Sequence, residues 1–231
     1  MFPVLFTRPV STMSESALHD GEDPCSPYSR KTKESSMTRI VLISGSLRHD
    51  SLNTMAIATI ERMLTARPEP AAAVRLAIEE LPYYHQSDDE SGKRHEAVHA
   101  ARHLVTASDA VLISTPSYNG LVSGVLKNAL DWLSRPWGDS ALTDKPVAML
   151  SASTSARGAM EAQSGLRTVL ERSGAVLIAA PQVALARADA IPAEDGRFTE
   201  PATVAALEAL VEALLAHLSP EPAAVHGISS L

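Results

Sequence analysis

The chain has 231 residues, 45% of them apolar and 20% charged, which suffices for one domain with a buried core and is too apolar for a wholly unfolded chain. Twenty basic against 27 acidic side chains give a net charge of −7, against a nucleic-acid binder, which needs a basic face. One cysteine, Cys25, excludes an internal disulfide and a cysteine metal cage.

No run of about 18 uninterrupted apolar residues is present, so no membrane association is expected. The segment Met1-Phe2-Pro3-Val4-Leu5-Phe6 lacks the basic start and apolar length of a secretory signal. The expected compartment is the cytoplasm. Residues 1–36 are dominated by Ser, Thr, Pro, Asp and Glu without helical or strand period, and read as a disordered tail. The domain is expected over 37–218. Pro220-Glu221-Pro222 stops the last helix, so 219–231 reads as a loose tail.

Within the domain the pattern alternates. Residues 40–43, Ile-Val-Leu-Ile, form a continuous apolar run, the mark of a strand covered on both faces. Ile57, Ile60 and Leu64 give 53–66 a helical period. A second strand is expected over 74–78 and a helix over 93–107. A third buried strand follows at 110–113, then a helix over 124–133 with Leu126, Ala129, Leu130 and Leu133 on one face. A fourth strand is expected at 146–150, a helix over 158–172 and a fifth strand at 175–178. Val204, Leu207, Val211, Leu214 and Leu218 line a final helix. This alternation predicts a doubly wound five-stranded parallel sheet of order 2-1-3-4-5 with helices on both faces.

In such sheets ligands bind beyond the carboxyl ends of the strands, where the strand order reverses. The loops after Ile43 and Ile113 should therefore be neighbours. The first, Ser44-Gly45-Ser46-Leu47-Arg48-His49-Asp50-Ser51-Leu52-Asn53, opens a helix. Free N–H groups there seat phosphate, Ser46, Ser51 and Asn53 can add side-chain donors, and Arg48 adds charge. Dinucleotide and Walker glycine patterns are absent, and by spacing Ser51 is equally a plain helix cap. The second loop, Thr115-Pro116-Ser117-Tyr118-Asn119-Gly120, can present backbone groups to the polar edge of a flat heterocycle; by itself it also reads as a connection with an Asn-Gly turn.

Together these residues resemble a known family. Gly45-Ser46-Leu47-Arg48 with Ser51 and Asn53 is similar to the GSLRxxSxN phosphate loop of the NAD(P)H-dependent FMN reductases. Pro116-Ser117-Tyr118-Asn119-Gly120, then Ser123-Gly124-Val125-Leu126-Lys127-Asn128-Ala129-Leu130-Asp131-Trp132, resembles their PEYN…PGxLKNAxDW segment, and Ala162-Gln163 with Leu166-Arg167 a later stretch. The likeness covers about 39–185. It departs from the family at Ser117 for an acidic residue, at Ser123 for proline and at Arg157 for glycine.

The resemblance implies a flavodoxin-like fold, FMN as cofactor, NADPH or NADH as donor, and a homodimer or homotetramer. It places Ser46, Arg48, Ser51, Leu52 and Asn53 at the FMN phosphate. Pro116, Ser117, Tyr118, Asn119 and Gly120 fall at the ring edge, and Ser151, Ser153 and Thr154 on a third loop beside it. Hydride would pass from the nicotinamide through FMN to a quinone, free flavin or similar small electrophile, in ping-pong order. No side chain need act as acid or base, so no catalytic residue is nominated. The alternatives are a flavodoxin-type electron carrier, which encloses its ring between aromatic side chains, or a redox-sensing flavin module.

His95, His99 and His103 recur every four residues as metal ligands can, but without a further ligand cluster they read as a solvated or interface face, so no metal is expected. Lys127 and Asp131 read as a local ion pair, Trp132 as packing, and Trp137 as a residue able to roof a flavin.

Overall fold

A strand with no polar face is stable only when both sides are covered. Ile40, Val41, Leu42 and Ile43 are fully buried in that way, in β1 (Arg39–Ser44). The computed structural model describes residues 37–219 apart from Arg94. The expected N-terminal tail, with Cys25, and the C-terminal tail beyond residue 219 lie outside the described residues.

The chain continues through α1 (Leu52–Thr65), β2 (Ala72–Arg75), α2 (Gln86–Glu90), α3 (Glu96–Thr106), β3 (Ala110–Thr115), α4 (Gly124–Leu133), β4 (Pro146–Ala152) and α5 (Met160–Arg172). It ends with β5 (Val176–Leu177), β6 (Val183–Leu185), the hairpin of β7 (Ala193–Glu194) and β8 (Arg197–Phe198), and α6 (Pro201–Leu218). The main sheet is parallel with the order β2-β1-β3-β4-β5, as expected.

Alternation along the central strands divides the core in two. Ile40, Leu42, Leu112 and Leu150 face α1 and α6, meeting Ile57, Ile60 and Leu64 on one helix and Leu207, Val211 and Leu214 on the other. Val41, Ile43, Val111 and Ile113 face α3, α4 and α5, meeting Val105, Leu126, Leu130 and Leu166. Each fully buried Leu or Ile contributes about 1.5–3 kcal/mol. α6 has the length and mean hydropathy, 1.4, of a membrane-crossing helix. Its Leu207, Leu210, Val211 and Leu214 line the core.

Several boundaries differ from expectation. The second strand is Ala72–Arg75 rather than 74–78, and Ile78 turns into a short 3-10 segment, buried against α4. The third helix begins at Glu96 rather than at 93, so His95 is its N-cap and not a helical residue. The fifth strand is broken: β5 pairs with the start of β4 and β6 with its end. Pro181, which cannot donate to a ladder, stands in the gap. Periodicity gave no sign of β6, α2 or the β7–β8 hairpin, each of five residues or fewer.

Candidate functional site

The two loops at the strand-order reversal meet at Gly45. Its N–H donates to the Ser114 carbonyl at 2.8 Å, and its own carbonyl accepts the Ser123 hydroxyl at 2.5 Å. A Cβ on Gly45 would stand 3.0 Å from both Leu126 Cδ2 and Pro116 Cδ, so any side chain there would have to push these neighbours aside. Ser123 also caps α4, accepting from the Leu126 N–H at 3.2 Å. The serine that replaces the family's proline thus supplies a hydroxyl that ties the loops together.

The first loop ends in Ser51, whose Oγ accepts from the Thr54 N–H at 3.2 Å and caps α1. This leaves the N–H groups of Leu52 and Asn53, in the first turn, without intrahelical acceptors. Arg48 stands at the rim with 59% of its side chain exposed and pairs with Asp50 at 3.1 Å. The Arg48 hydrogen bond and charge hold the Asp50 carboxyl below its usual range.

Asn53 is 3% exposed and its side chain is committed inward. Its Oδ1 accepts from Ser114 Oγ at 2.8 Å and the Ala152 N–H at 3.2 Å, while Nδ2 donates to the Ala152 carbonyl at 3.1 Å. The expected phosphate donor is thus a tie between α1, β3 and β4, and what it can still offer at the helix start is its backbone N–H.

In the second loop Tyr118 and Leu121 pair antiparallel, with N–H to carbonyl distances of 2.9 and 3.2 Å. Asn119 and Gly120 turn between them at φ of 53° and 84°, the Asn-Gly turn that needs positive φ at both positions. Both are exposed at the loop tip.

The third loop follows β4. Ser151 Oγ donates to the Gly158 carbonyl at 2.6 Å and accepts from Gln163 Nε2 at 2.8 Å. Gly158 has φ of +59°, and a Cβ there would approach Ala184 C to 2.7 Å. The loop is therefore clamped against β6, through Ser153 N–H to the Leu185 carbonyl at 3.1 Å as well.

These three loops enclose a cleft of about 170 Å³. Ser46, Arg48, Ser51, Leu52 and Asn53 line one side, Pro116, Ser117 and Tyr118 a second, and Ala152, Ser153 and Thr154 the floor. Of the expected site residues, Asn119 and Gly120 lie at the tip of the loop and Ser151 behind the wall. Tyr118, 47% exposed, is the one aromatic side chain in the lining. Ser46 and Arg48 also border a second cavity, of about 430 Å³, over the ends of β1 and β2.

Sequence reasoning missed Glu161, in the first turn of α5. Its own backbone N–H, the Ser117 hydroxyl beside it and the Arg157 charge hold its carboxyl below the ordinary range. Its Oε2 is shut off from solvent without a hydrogen-bond partner. The docking of α5 on the second loop sets this contact, and no local pattern announces it. A carboxylate thus reaches this wall from α5, where the loop itself carries Ser117.

The other residues of interest stand apart. Lys127 and Asp131 form an ion pair at 2.6 Å. Trp132 is 3% exposed and donates to the Pro82 carbonyl at 2.8 Å. Trp137 lies beside Arg135 and lines no part of this cleft. His95 bonds Asp88 at 3.0 Å, and among the described residues no group of side chains is arranged to hold a metal ion.

A sequence model of the family described as NADPH-dependent FMN reductase matches residues 38–190. The chain belongs to that family. Membership makes it an oxidoreductase with FMN as cofactor and NAD(P)H as reductant. It is 37% identical over 145 residues to the 2-hydroxy-1,4-benzoquinone reductase of a Burkholderia species, covering 63% of this chain and 76% of that one. A quinone reductase of Escherichia coli K12 is 33% identical over 144 residues, 62% of this chain and 75% of that one. The solved flavoenzyme NAD(P)H:(acceptor) oxidoreductase of Paracoccus denitrificans superposes with a TM-score of 0.69 at 32% identity, over 79% of this chain and 97% of that one. The fold is flavodoxin-like. The residues present fit the cofactor: unpaired N–H groups and Arg48 suit a phosphate dianion, and the hydrogen-bonded second and third loops suit a flat ring.

Proposed function

We propose that the protein reduces a quinone or a similar small electrophilic acceptor at the expense of NAD(P)H, with FMN held in the cleft between the three loops. The observation that carries this reading is the convergence of the unpaired Leu52 and Asn53 N–H groups, Arg48 and the Pro116–Tyr118 wall on one cleft at the strand-order reversal. FMN supplies two-electron hydride chemistry when bound. The chain's own residues do the holding. The α1 N-terminus and Arg48 bind the phosphate, the second loop sets the ring edge, and Ser153 and Thr154 bound the floor. Ser151 and Gln163 keep that floor rigid from behind.

The likeness to enzymes named quinone reductases supports the choice of acceptor. The scarcity of aromatic walls favours a reductase over an electron carrier, because Tyr118 alone cannot enclose a ring from both sides. One open cleft then serves the nicotinamide and the acceptor in turn, giving ping-pong kinetics. The nicotinamide pool it draws on is intracellular, and the cytoplasm is the compartment proposed, with the homo-oligomer the family resemblance implies. The domain proposed runs from 37 to 218.

The test is anaerobic. NADPH should bleach the bound flavin, and benzoquinone should restore its colour, with parallel lines in double-reciprocal plots. A flavin that NADPH cannot bleach would leave the electron-carrier reading in its place.

A further inference from the structure

Among the described residues no carboxylate lines the cleft between the three loops. Its one charged side chain is Arg48, at the phosphate end and already paired with Asp50. At the other end a carboxylate stands behind the wall. Glu161 has the Ser117 hydroxyl beside it, and Ser117 lines the cleft. Packing sets this position. α5 lies so close to the second loop that a Cβ on Gly165 would come within 3.3 Å of Leu121 Cδ2.

The surroundings keep Glu161 charged. No side chain caps α5, whose N-cap is Ala159, and the Glu161 carboxylate takes its own backbone N–H in the first turn. With the Ser117 hydroxyl and the Arg157 charge, this holds the carboxyl below its ordinary range, so it is ionised at neutral pH. The same surroundings leave the charge poorly screened. Its Oε2 is shut off from solvent without a hydrogen-bond partner, and Arg157, the cation that acts on it, is exposed to water. A charge withdrawn from water acts further than one at the surface.

The consequence lies in the charge balance of the reaction. A hydride carries two electrons and one proton, so the ring that accepts it gains one unit of negative charge. A fixed anion behind the wall opposes that gain. We propose that Glu161, acting across Ser117, lowers the reduction potential of the bound FMN and so makes its reduced form the stronger donor to the acceptor. This rests on the FMN reading of the cleft. The acceptors it favours are quinones of low potential, which the same flavin without the carboxylate would reduce less completely. Glu161 contributes a field, and no reacting atom need touch it.

The test is the midpoint potential of the FMN-loaded full chain, measured anaerobically against a reference dye for wild type, Glu161→Gln and Glu161→Asp. Glutamine keeps the shape and removes the charge, whereas aspartate keeps the charge. Glu161→Gln should favour reduced over oxidised FMN about tenfold more than wild type does, a rise of about 30 mV for a two-electron couple, and Glu161→Asp should stay close to wild type. Glu161→Ala, also neutral, should shift in the same direction and serves if the glutamine variant fails to fold. A potential unmoved in the neutral variants overturns the proposal. So do equal shifts in the aspartate and glutamine variants, which would trace the effect to the shape of the wall. A wild-type chain that retains no FMN would overturn the reading of the cleft itself, a failure visible before any potential is measured.

Discussion

The Oδ1 of Asn53 accepts the Ser114 hydroxyl at 2.8 Å, across 61 residues of sequence, and so binds the start of α1 to the end of β3. The same side chain holds both backbone groups of Ala152 on β4. Three elements that frame the cleft are thereby joined through one amide.

Asn53→Ala should therefore act first on stability. It leaves the Ser114 hydroxyl and the Ala152 N–H and carbonyl unsatisfied, each a buried loss of about 1–3 kcal/mol before relaxation. A net loss of about 3 kcal/mol in urea unfolding is expected, with weaker flavin retention. An unchanged midpoint would show that water replaces the amide without cost.

Arg48→Ala should act on the cofactor alone. Asp50 already shares the guanidinium, so the expected loss in FMN affinity is about 1.5 kcal/mol, the low end for a charged hydrogen bond. Excess FMN should restore activity. Equal losses of FMN and riboflavin affinity would remove Arg48 from the phosphate.

Asn119 separates conformation from contact. At φ of 53°, Asn119→Gly should keep the turn, whereas Asn119→Ala should cost about 1 kcal/mol. If the glycine variant is reduced by NADPH at the wild-type rate at saturating FMN, Asn119 serves the turn only. A slow glycine variant with intact stability assigns its amide to the ring.

Glu161 gives a pH signature. Its folded value lies below its ordinary one, so the stability it adds is present above the ordinary value and lost as pH falls through the folded one. The stability gap between wild type and Glu161→Gln should be constant near neutral pH and shrink below about pH 4. A gap that shows no narrowing as the pH is taken below the ordinary carboxylate range would assign the effect to shape rather than charge.

The long elements were legible because their periods are long. β1 and β3 are unbroken apolar runs, and α4 was placed residue for residue by Leu126, Ala129, Leu130 and Leu133. The strand order followed from the alternation, and the two loops at the reversal from the strand order. What escaped was set by tertiary contact. Asn53 lies in a phosphate-loop motif, yet its side chain turns inward because Ser114 and Ala152 offer partners there. Glu161 faces Ser117 only once α5 has docked. β6 is three residues long, and its place is decided by the Gln163 amide donating to the Val183 carbonyl at 2.7 Å. None of these leaves a trace in local composition.

The interruption of the fifth strand has a consequence for life at high concentration. An outer strand of a parallel sheet offers its free hydrogen-bonding groups to any other extended chain, and a long flat one is an aggregation template. Here that border is cut into rungs of two and three residues, Val176–Leu177 and Val183–Leu185, separated by a stretch that contains Pro181. An incoming strand finds no continuous row to zip along. The same break that lets Val183–Leu185 brace the third loop thus leaves this border of the sheet without a continuous template.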